Sequence, residues 1–319
     1  MSNPKVSIGM PVYNGANYLR SSVQSILAQD YEDFELIISD NASTDETESI
    51  CRELAESDGR IRYSRNDRNL GASWNYNNVF RLARGQFFKW AAHDDECYPA
   101  LIRRCVDLLE QAPDRVTMVY PLAELIDDEG KTLRSPLDRI ELRDPRPHRR
   151  LKRMLWSLCF CDPVFGLFKT EYLKKTQLIA PFFGADNVML AQVAMMGEAW
   201  ELDEVLFRLR SHSRRSMAVN RTARARTAWF DPTAGRKLLI LPCWETLIWE
   251  LFKAVCRSSL SPAEKLRCSL LIPGYYRGLV RSDPSRIENR MKHRLKVFLG
   301  LGENGNRANA WMRFLRRVR

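Results

Sequence analysis

The sequence of 319 residues has no hydrophobic run long enough to cross a membrane. Its most apolar stretch, residues 238–252, contains Pro242, Glu245 and Glu250, whereas a transmembrane helix needs roughly 20 mostly apolar residues. The amino terminus lacks the charged region and apolar core of a secretory signal peptide. With a mean hydropathy of -0.37 and 45% hydrophobic residues, these absences predict an ordinary globular protein of the cytoplasm.

Paired cysteines and the common nucleotide-binding glycine motifs are also missing. The 8 cysteines include no CxxC pair, and only Cys159 and Cys161 lie close together. This pattern indicates reduced thiols rather than a disulfide or zinc framework. No G-x-G-x-x-G follows the first predicted strand, which argues against a dinucleotide-binding fold, and no G-x-x-x-x-G-K-[ST] is present, which excludes a P-loop.

The net positive charge comes from the last hundred residues of the chain. Residues 1–220 have 29 Lys and Arg against 32 Asp and Glu, whereas residues 221–319 have 21 against 7. A basic region of this kind can bind nucleic acid, an anionic membrane surface or an acidic partner. It lacks a zinc spacing, a glycine-rich RNA-binding motif and regularly spaced aromatics, so we expect no nucleic-acid partner.

Two interpretations of the basic region stay open. Its helices can pack on the rest of the protein with a solvated basic face, or they can dock on the inner face of a membrane and hold a lipid-linked acceptor. The end of the chain, residues 309–319, is a short basic amphipathic stretch that suits the second interpretation.

Strands and helices alternate through the first hundred residues. Apolar runs bounded by turn residues predict strands, and apolar residues at helical spacing predict the helices between them. The predicted strands are 5–12, 34–40 and 60–64. One helix is predicted at 18–29, and a second follows the strand at 34–40 and extends through Leu54. This alternation favours a doubly wound, mostly parallel sheet.

Polar residues follow several predicted strands at their carboxyl ends. These are Pro11 to Asn14, then Asp40, then Asp94 and Asp95. A capping box of Ser43 and Glu46 is predicted for the second helix, which leaves Asp40 outside the cap and available to a ligand. Because the carboxyl ends of parallel strands share one edge of a sheet, we expect these residues to line one pocket.

The stretch RGQFFKWAAHDDE, residues 84–96, indicates a buried strand that leads into two adjacent carboxylates. Their repulsion is tolerable when a cation lies beside them, and Mg²⁺ or Mn²⁺ prefers such oxygen ligands. The alternative is that they cap the helix predicted at 99–111. Pro99 fits the first helical position, which makes Tyr98 the N-cap and leaves both acids too far upstream.

Three stretches resemble family 2 glycosyltransferases of the GT-A fold: VSIGMPVYNGANYL at 6–19, ELIISDNASTDET at 35–47, and RNLGASWNYNNVFRLARGQFFKWAAHDDE at 68–96. The resemblance covers roughly residues 5–215. It implies an α/β, Rossmann-like catalytic domain at 1–215, with a mostly parallel central sheet flanked by helices. Residues 216–319 would form a mainly helical, basic extension.

The resemblance further implies inverting, metal-dependent transfer of a sugar from a nucleotide-diphosphate donor to an acceptor hydroxyl. The acceptor would be a glycolipid, a cell-surface polysaccharide or a metabolite. Asp95 would bind Mn²⁺ or Mg²⁺ directly, with Asp94 and His212 nearby. The residues implied for nucleotide binding are Pro11, Tyr13, Asn14, Asp40, Arg65, Asn69 and Asp94.

Asp186 opens a predicted helix, Val188 to Met196, and without a family it is most simply an N-cap. The resemblance implies instead that it is the catalytic base, since an acid about 90 residues after the metal pair has that role in the family. For His212, which follows a predicted strand, the alternative to metal binding is a plain surface residue.

Two other functions fit the residues less well. A sugar nucleotidyltransferase would need a glycine-rich, lysine-containing loop after the first strand, and PVYNGANY has none. A non-catalytic nucleotide-sugar-binding relative would not need Asp94, Asp95 and Asp186 together. The charged, proline-containing sequence DPRPHRRLKR, residues 144–153, predicts a surface excursion near the acceptor.

Overall fold

The computed structural model describes residues 3–137, 139–157, 162–220, 222–234 and 243–282. The chain divides into two compact units, Met1–Ser269 and Leu270–Arg319. The domain boundary expected between residues 215 and 216 stays a prediction. Cys159, Cys161 and the basic stretch 309–319 lie outside the described residues.

The described strands form one nine-stranded sheet in the order β3-β2-β1-β4-β8-β6-β9-β5, with β7 paired to β6. Strands β3, β2, β1 and β4 are parallel, β8 runs antiparallel between β4 and β6, and β6 is parallel to β9. The strands are β1 Val6–Val12, β2 Phe34–Asp40, β3 Ile61–Arg65, β4 Phe87–Trp90, β5 Glu96–Cys97, β6 Val116–Ile126, β7 Thr132–Arg134, β8 Leu167–Lys169 and β9 Glu198–Arg210. The mostly parallel α/β sheet is thereby confirmed.

Helices flank this sheet and continue through the described part of the carboxyl-terminal region. They are α1 Leu19–Leu27, α2 Thr47–Ser57, α3 Ala72–Leu82, α4 Leu101–Gln111, α5 Pro147–Ser157, α6 Thr170–Leu173, α7 Ala185–Met196, α8 Ser216–Val219, α9 Ala223–Phe230, α10 Cys243–Arg257 and α11 Pro262–Ser282, with a 3-10 helix at Asp162–Phe165. No described helix combines the length and the apolar character that a membrane crossing requires.

Close packing of α3 on the sheet brings that helix to the edge of the predicted pocket. All seven residues of β1 are buried, and a Cβ added at Gly9 would lie 2.7 Å from a Val79 methyl group of α3. Glycine at this position therefore lets the helix approach the strand. Residues at the amino-terminal end of α3 consequently lie above the carboxyl end of β1.

Three local predictions are wrong, and in two of them a longer-range contact prevails. Ser43 does not cap α2; its Oγ accepts a hydrogen bond from the Asn14 N–H at 2.9 Å instead. Helix α4 begins two residues later than expected, with Ala100 at its N-cap. The segment predicted as a surface excursion contains α5, whose buried Arg150 donates to the Ala194 carbonyl at 2.7 Å and so joins α5 to α7.

Candidate active site

A cleft of about 640 Å³ opens beside the carboxyl ends of β1 and β4. This volume suits a small organic ligand. Its lining includes six of the residues expected to bind nucleotide or metal: Pro11, Tyr13, Asn14, Asn69, Asp94 and His212. The convergence of strand ends therefore brings most of the expected residues to one place.

The turn after β1 is held against the start of α2. Asn14 has φ of 52°, and its side-chain Oδ1 accepts from the Thr44 N–H at 2.8 Å. The Gly15 N–H donates to Thr47 Oγ1 at 2.9 Å. These bonds fix the backbone of the turn and leave Tyr13 exposed on the cleft wall.

Asp40 lies behind this wall and does not line it. It is fully buried; Oδ1 accepts from the Ser43 N–H, and Oδ2 accepts from the Tyr63 hydroxyl at 3.1 Å and pairs with Arg65 Nε at 3.2 Å. The expectation that Asp40 is unengaged is therefore wrong. The parallel register places Asp40 opposite Arg65, so each satisfies the other.

Asn41, which follows the buried Asp40, lines the cleft. The sequence had predicted no role for it. Its Nδ2 donates to Asn69 Oδ1 at 2.9 Å, and its Oδ1 accepts from the Leu70 N–H at 2.9 Å. Asn69 Oδ1 also accepts from the Gly71 N–H at 2.8 Å. These amide hydrogen bonds fix the loop before α3. The only sign of this network in the sequence was an asparagine directly after the aspartate that ends a strand.

Gly71 has a backbone conformation that other residues rarely adopt, with φ of 90° and ψ of 158°. A Cβ there would also lie against the Phe230 carbonyl, next to Trp229 of the cleft lining. We therefore expect Gly71→Ala to lower the free energy of unfolding by about 1–3 kcal/mol, measured by urea denaturation. Gly59→Ala is the matched control, because a Cβ at Gly59 meets nothing within 4 Å. Equal losses in the two variants would contradict a special role for Gly71.

The two adjacent acids are anchored by β9. Asp95 is buried and its Oδ1 accepts from the Arg210 N–H at 2.8 Å, while Arg210 Nε donates to the Asp94 carbonyl at 2.9 Å. Asp94 Oδ2 lies 2.9 Å from His212 Nε2. The three residues expected at the metal are thus neighbours, with Asp94 and His212 on the cleft wall and Asp95 behind them.

Burial acts on both carboxylates, with opposite outcomes. Burial and the neighbouring charge of Asp94 hold the pKa of Asp95 well above its usual value. Burial also disfavours ionisation of Asp94, but the His212 hydrogen bond and the charges of His93 and His212 outweigh it, so the pKa of Asp94 is lowered. The fully buried Lys89, which donates to the carbonyls of Trp90 and Phe165, also favours the ionised form of Asp95.

Two carboxylates and an imidazole are ligands that a divalent cation accepts. A carboxylate whose ionisation is opposed by a second carboxylate gains from a cation beside it. His212 Nδ1 is buried and has no hydrogen-bond partner within the described part of the chain. Among the described residues, no group of three or more His, Cys, Asp or Glu side chains is already arranged as a metal site.

Asp186 lies in the first turn of α7 and does not cap it. The N-cap is Gly184, with φ of 85°, and Asp186 Oδ1 accepts from the Asn187 N–H at 2.9 Å. The loop before α7 is joined to α3, because Asn77 exchanges two hydrogen bonds with the backbone of Ile179, both at 3.0 Å. The N-cap interpretation is therefore wrong.

Tyr76 of α3 lies within electrostatic reach of both Asp186 and the acid pair. Its side chain is half-buried and lines the cleft. Burial raises its pKa, and so do the charges of Asp94, Asp95 and Asp186, in that order. All three carboxylates therefore act on one phenol, although neither Asp95 nor Asp186 belongs to the cleft lining.

Residues after β9 complete the cleft wall. Arg214, Ser216, Val219, Asn220, Ala228 and Trp229 contribute to its lining. No site residue was expected in α8 or α9, since the resemblance fades there. The Trp229-Phe230 pair, whose rings lie 4.7 Å apart, was the signal available in the sequence.

Comparisons with known proteins agree on one family. The family model described as Glycosyl transferase family 2 matches residues 7–176, more than half of the chain. An uncharacterized glycosyltransferase of Rickettsia felis is 39% identical over 134 residues, which are 41% of this chain and 21% of that protein. The GalNAc(5)-diNAcBac-PP-undecaprenol beta-1,3-glucosyltransferase of Campylobacter jejuni is 28% identical over 187 residues, 58% of each chain.

The fold is similar to that of S. aureus TarS 1-349, solved in complex with UDP-GlcNAc. The TM-score is 0.61 at 15% identity, over 85% of this chain and 72% of that one. At this identity the likeness concerns the fold alone, which is of the GT-A type. The chain spans about a fifth of the length of the first curated relatives that it matches.

Proposed function

Because the chain belongs to glycosyltransferase family 2 and is a glycosyltransferase, we propose that it transfers a sugar from a nucleoside-diphosphate donor to an acceptor hydroxyl, with inversion at the anomeric carbon. The observation that carries this proposal is the paired Asp94 and His212 on the wall of one cleft, with a second buried acid next to them. Asp94 and His212 line the wall, Asp95 lies behind them, and Asp186 acts on the same phenol as both acids.

The nucleotide would occupy the part of the cleft beneath the first strand end. Pro11, Tyr13, Asn14 and Asn69 would border the base and ribose, since they line that wall. Asp40 and Arg65 would act indirectly, because their bonds to Ser43 support the turn that carries Asn14.

Asp94 and Asp95 would hold Mn²⁺ or Mg²⁺ with His212 beside them, and that ion would stabilise the departing diphosphate as a Lewis acid. Asp186 would accept the proton of the acceptor hydroxyl as its oxygen bonds to the anomeric carbon. The bond from that carbon to the diphosphate breaks, and its electron pair leaves with the diphosphate. A single displacement of this kind inverts the anomeric centre.

The acceptor is proposed to be lipid-linked. The name of the Campylobacter jejuni relative includes an undecaprenol diphosphate, and the basic region 221–319 is suited to an anionic membrane surface. Family membership favours this function over the sugar nucleotidyltransferase considered above.

A thermal-shift screen tests the donor class directly. UDP, GDP, CDP and ADP are each added with and without Mn²⁺, and inorganic diphosphate with Mn²⁺ is the control. We expect one nucleoside diphosphate to raise Tm in the presence of Mn²⁺, since a ligand at 100 times its Kd stabilises the native state by about 2.7 kcal/mol. A Tm unchanged by every nucleotide would contradict the proposal.

A further inference from the structure

Tyr76 lines the same cleft as Asp94 and His93, and its phenol also lies within electrostatic reach of Asp186. Asp94 and Asp95 belong to the segment after β4, whereas Asp186 belongs to α7, and the charges of all three act on the Tyr76 phenol. In the proposed reaction the leaving diphosphate lies on the side of the acid pair and the acceptor on the side of Asp186. The sugar being transferred must lie between them, in the cleft that Tyr76 lines together with Asp94.

The backbone of α3 holds Tyr76 in a fixed position. The Trp90 indole N–H donates to the Tyr76 carbonyl at 3.0 Å. On either side of Tyr76, Asn75 donates to the Ser39 carbonyl at 2.8 Å, and Asn77 is bonded to Ile179. The three residues thus connect the strand ends, the segment before the acid pair and the loop that leads to Asp186.

The Tyr76 hydroxyl is available to a ligand. No described residue shares a hydrogen bond with it, although the residue is half-buried in a cleft rich in polar groups. Its surroundings keep it a neutral phenol, which can donate a hydrogen bond as well as accept one. Carboxylates nearby can accept from sugar hydroxyls but cannot donate, so the phenol supplies what they lack.

We propose that Tyr76 is a contact residue for the transferred sugar: its hydroxyl bonds a sugar hydroxyl, and its ring forms the apolar side of the sugar subsite. This inference rests on the proposed function. It names the residue of the proposed donor cleft that contacts the sugar rather than the nucleotide. The ligand chemistry is a neutral, polyhydroxylated pyranose attached to a diphosphate. The aromatic face of Tyr76 suits the C–H groups of such a sugar ring, and the hydrogen-bond donor of its hydroxyl suits the ring's hydroxyl groups.

Isothermal titration calorimetry with paired ligands tests the proposal. Mn²⁺-loaded wild type, Tyr76→Phe and Tyr31→Phe are each titrated with UDP, UDP-glucose and UDP-GlcNAc, and with GDP and GDP-mannose. Tyr31→Phe is the matched control: Tyr31 is also half-buried, but it stacks near Arg103 and does not line the cleft. Comparing each sugar nucleotide with its parent diphosphate isolates the affinity that the sugar adds.

We expect Tyr76→Phe to bind the preferred nucleoside diphosphate within about twofold of wild type, and the matching sugar nucleotide roughly tenfold more weakly, as loss of one hydrogen bond predicts. Tyr31→Phe is expected to match wild type for both ligands. Equal affinities of Tyr76→Phe and wild type for the sugar nucleotide, or a parallel loss for both ligands, would overturn the sugar contact. A wild type that binds none of the ligands would instead overturn the donor class, and the sugar contact with it.

Discussion

Replacing Asp186 with asparagine is expected to abolish sugar transfer while the donor still binds. The new side chain keeps the shape of the old one and an oxygen that can accept the hydrogen bond from the Asn187 N–H. It cannot take a proton from an acceptor hydroxyl. General-base catalysis is worth about a hundred- to ten-thousandfold in rate, so kcat for transfer is expected to fall by that factor. Donor affinity, measured by calorimetry, is expected to stay within about twofold, because the interaction is made with the acceptor.

A matched control separates this effect from damage to a helix terminus. Glu171 is an acid in the first turn of α6, is exposed and does not line the cleft. Glu171→Gln should therefore transfer sugar at the wild-type rate. Near-normal transfer by Asp186→Asn would remove Asp186 from the reaction. A parallel loss of donor binding would indicate instead that the residue supports the cleft.

Asparagine at position 95 is expected to reduce transfer and to stabilise the metal-free protein at once. The buried carboxylate supplies charge for a divalent ion, and losing that ion's stabilisation of the diphosphate costs on the order of a thousandfold in kcat. In the metal-free protein the same charge is unfavourable, because burial and Asp94 raise the pKa of Asp95. Asparagine removes the charge and can still accept the Arg210 N–H.

The sign of the pH dependence follows from that raised pKa. An acid whose folded pKa exceeds its unfolded value binds more protons in the native state, so wild-type stability falls as pH rises above the usual aspartate range. Asp95→Asn should therefore be more stable than wild type at pH 7 without metal, by about 0.5–2 kcal/mol, with a smaller gain at lower pH. Urea denaturation at pH 5 and pH 7 measures both quantities.

The control for this second variant is Asp114→Asn, which removes an exposed carboxylate outside the cleft. Neither its stability nor its transfer rate should differ from wild type. If Asp95→Asn were less stable than wild type at pH 7 without metal, the ionised carboxylate would be a net stabilising group. The attraction of the nearby Arg215 and Lys89 charges would then outweigh its repulsion from Asp94.

Local pattern was sufficient to predict the framework of the sheet. The bounds of β2 agree with prediction, and those of β1 differ by one residue, because buried parallel strands are continuous apolar runs. The meeting of Asn14 and Asp94 at one edge followed from the predicted strand ends. Asn69 lies in the same cleft, as the family resemblance implied. His212 joined them as the family resemblance implied.

Local sequence patterns could not predict the contacts between segments that are distant along the chain. Whether Asp40 faces a ligand depends on the register of β2 against β3, which places Arg65 opposite it. The position of Tyr76 depends on how closely α3 approaches β1 over Gly9. The contribution of α9 to the cleft wall depends on packing against α3, and α9 lies where the family motifs no longer guide prediction.

Because Arg210 hydrogen-bonds to both acids, it sets a minimum length for a functional fragment of this chain. Residues 7–176 match the family model and contain both acids, but the backbone donor to Asp95 comes from Arg210, and Trp229 closes the wall. A truncation after residue 176 would keep the recognisable motifs and leave the carboxylates unsupported. Fragments chosen for expression, and any search for shortened natural versions, should therefore extend through α9, past the point where sequence similarity is easiest to see.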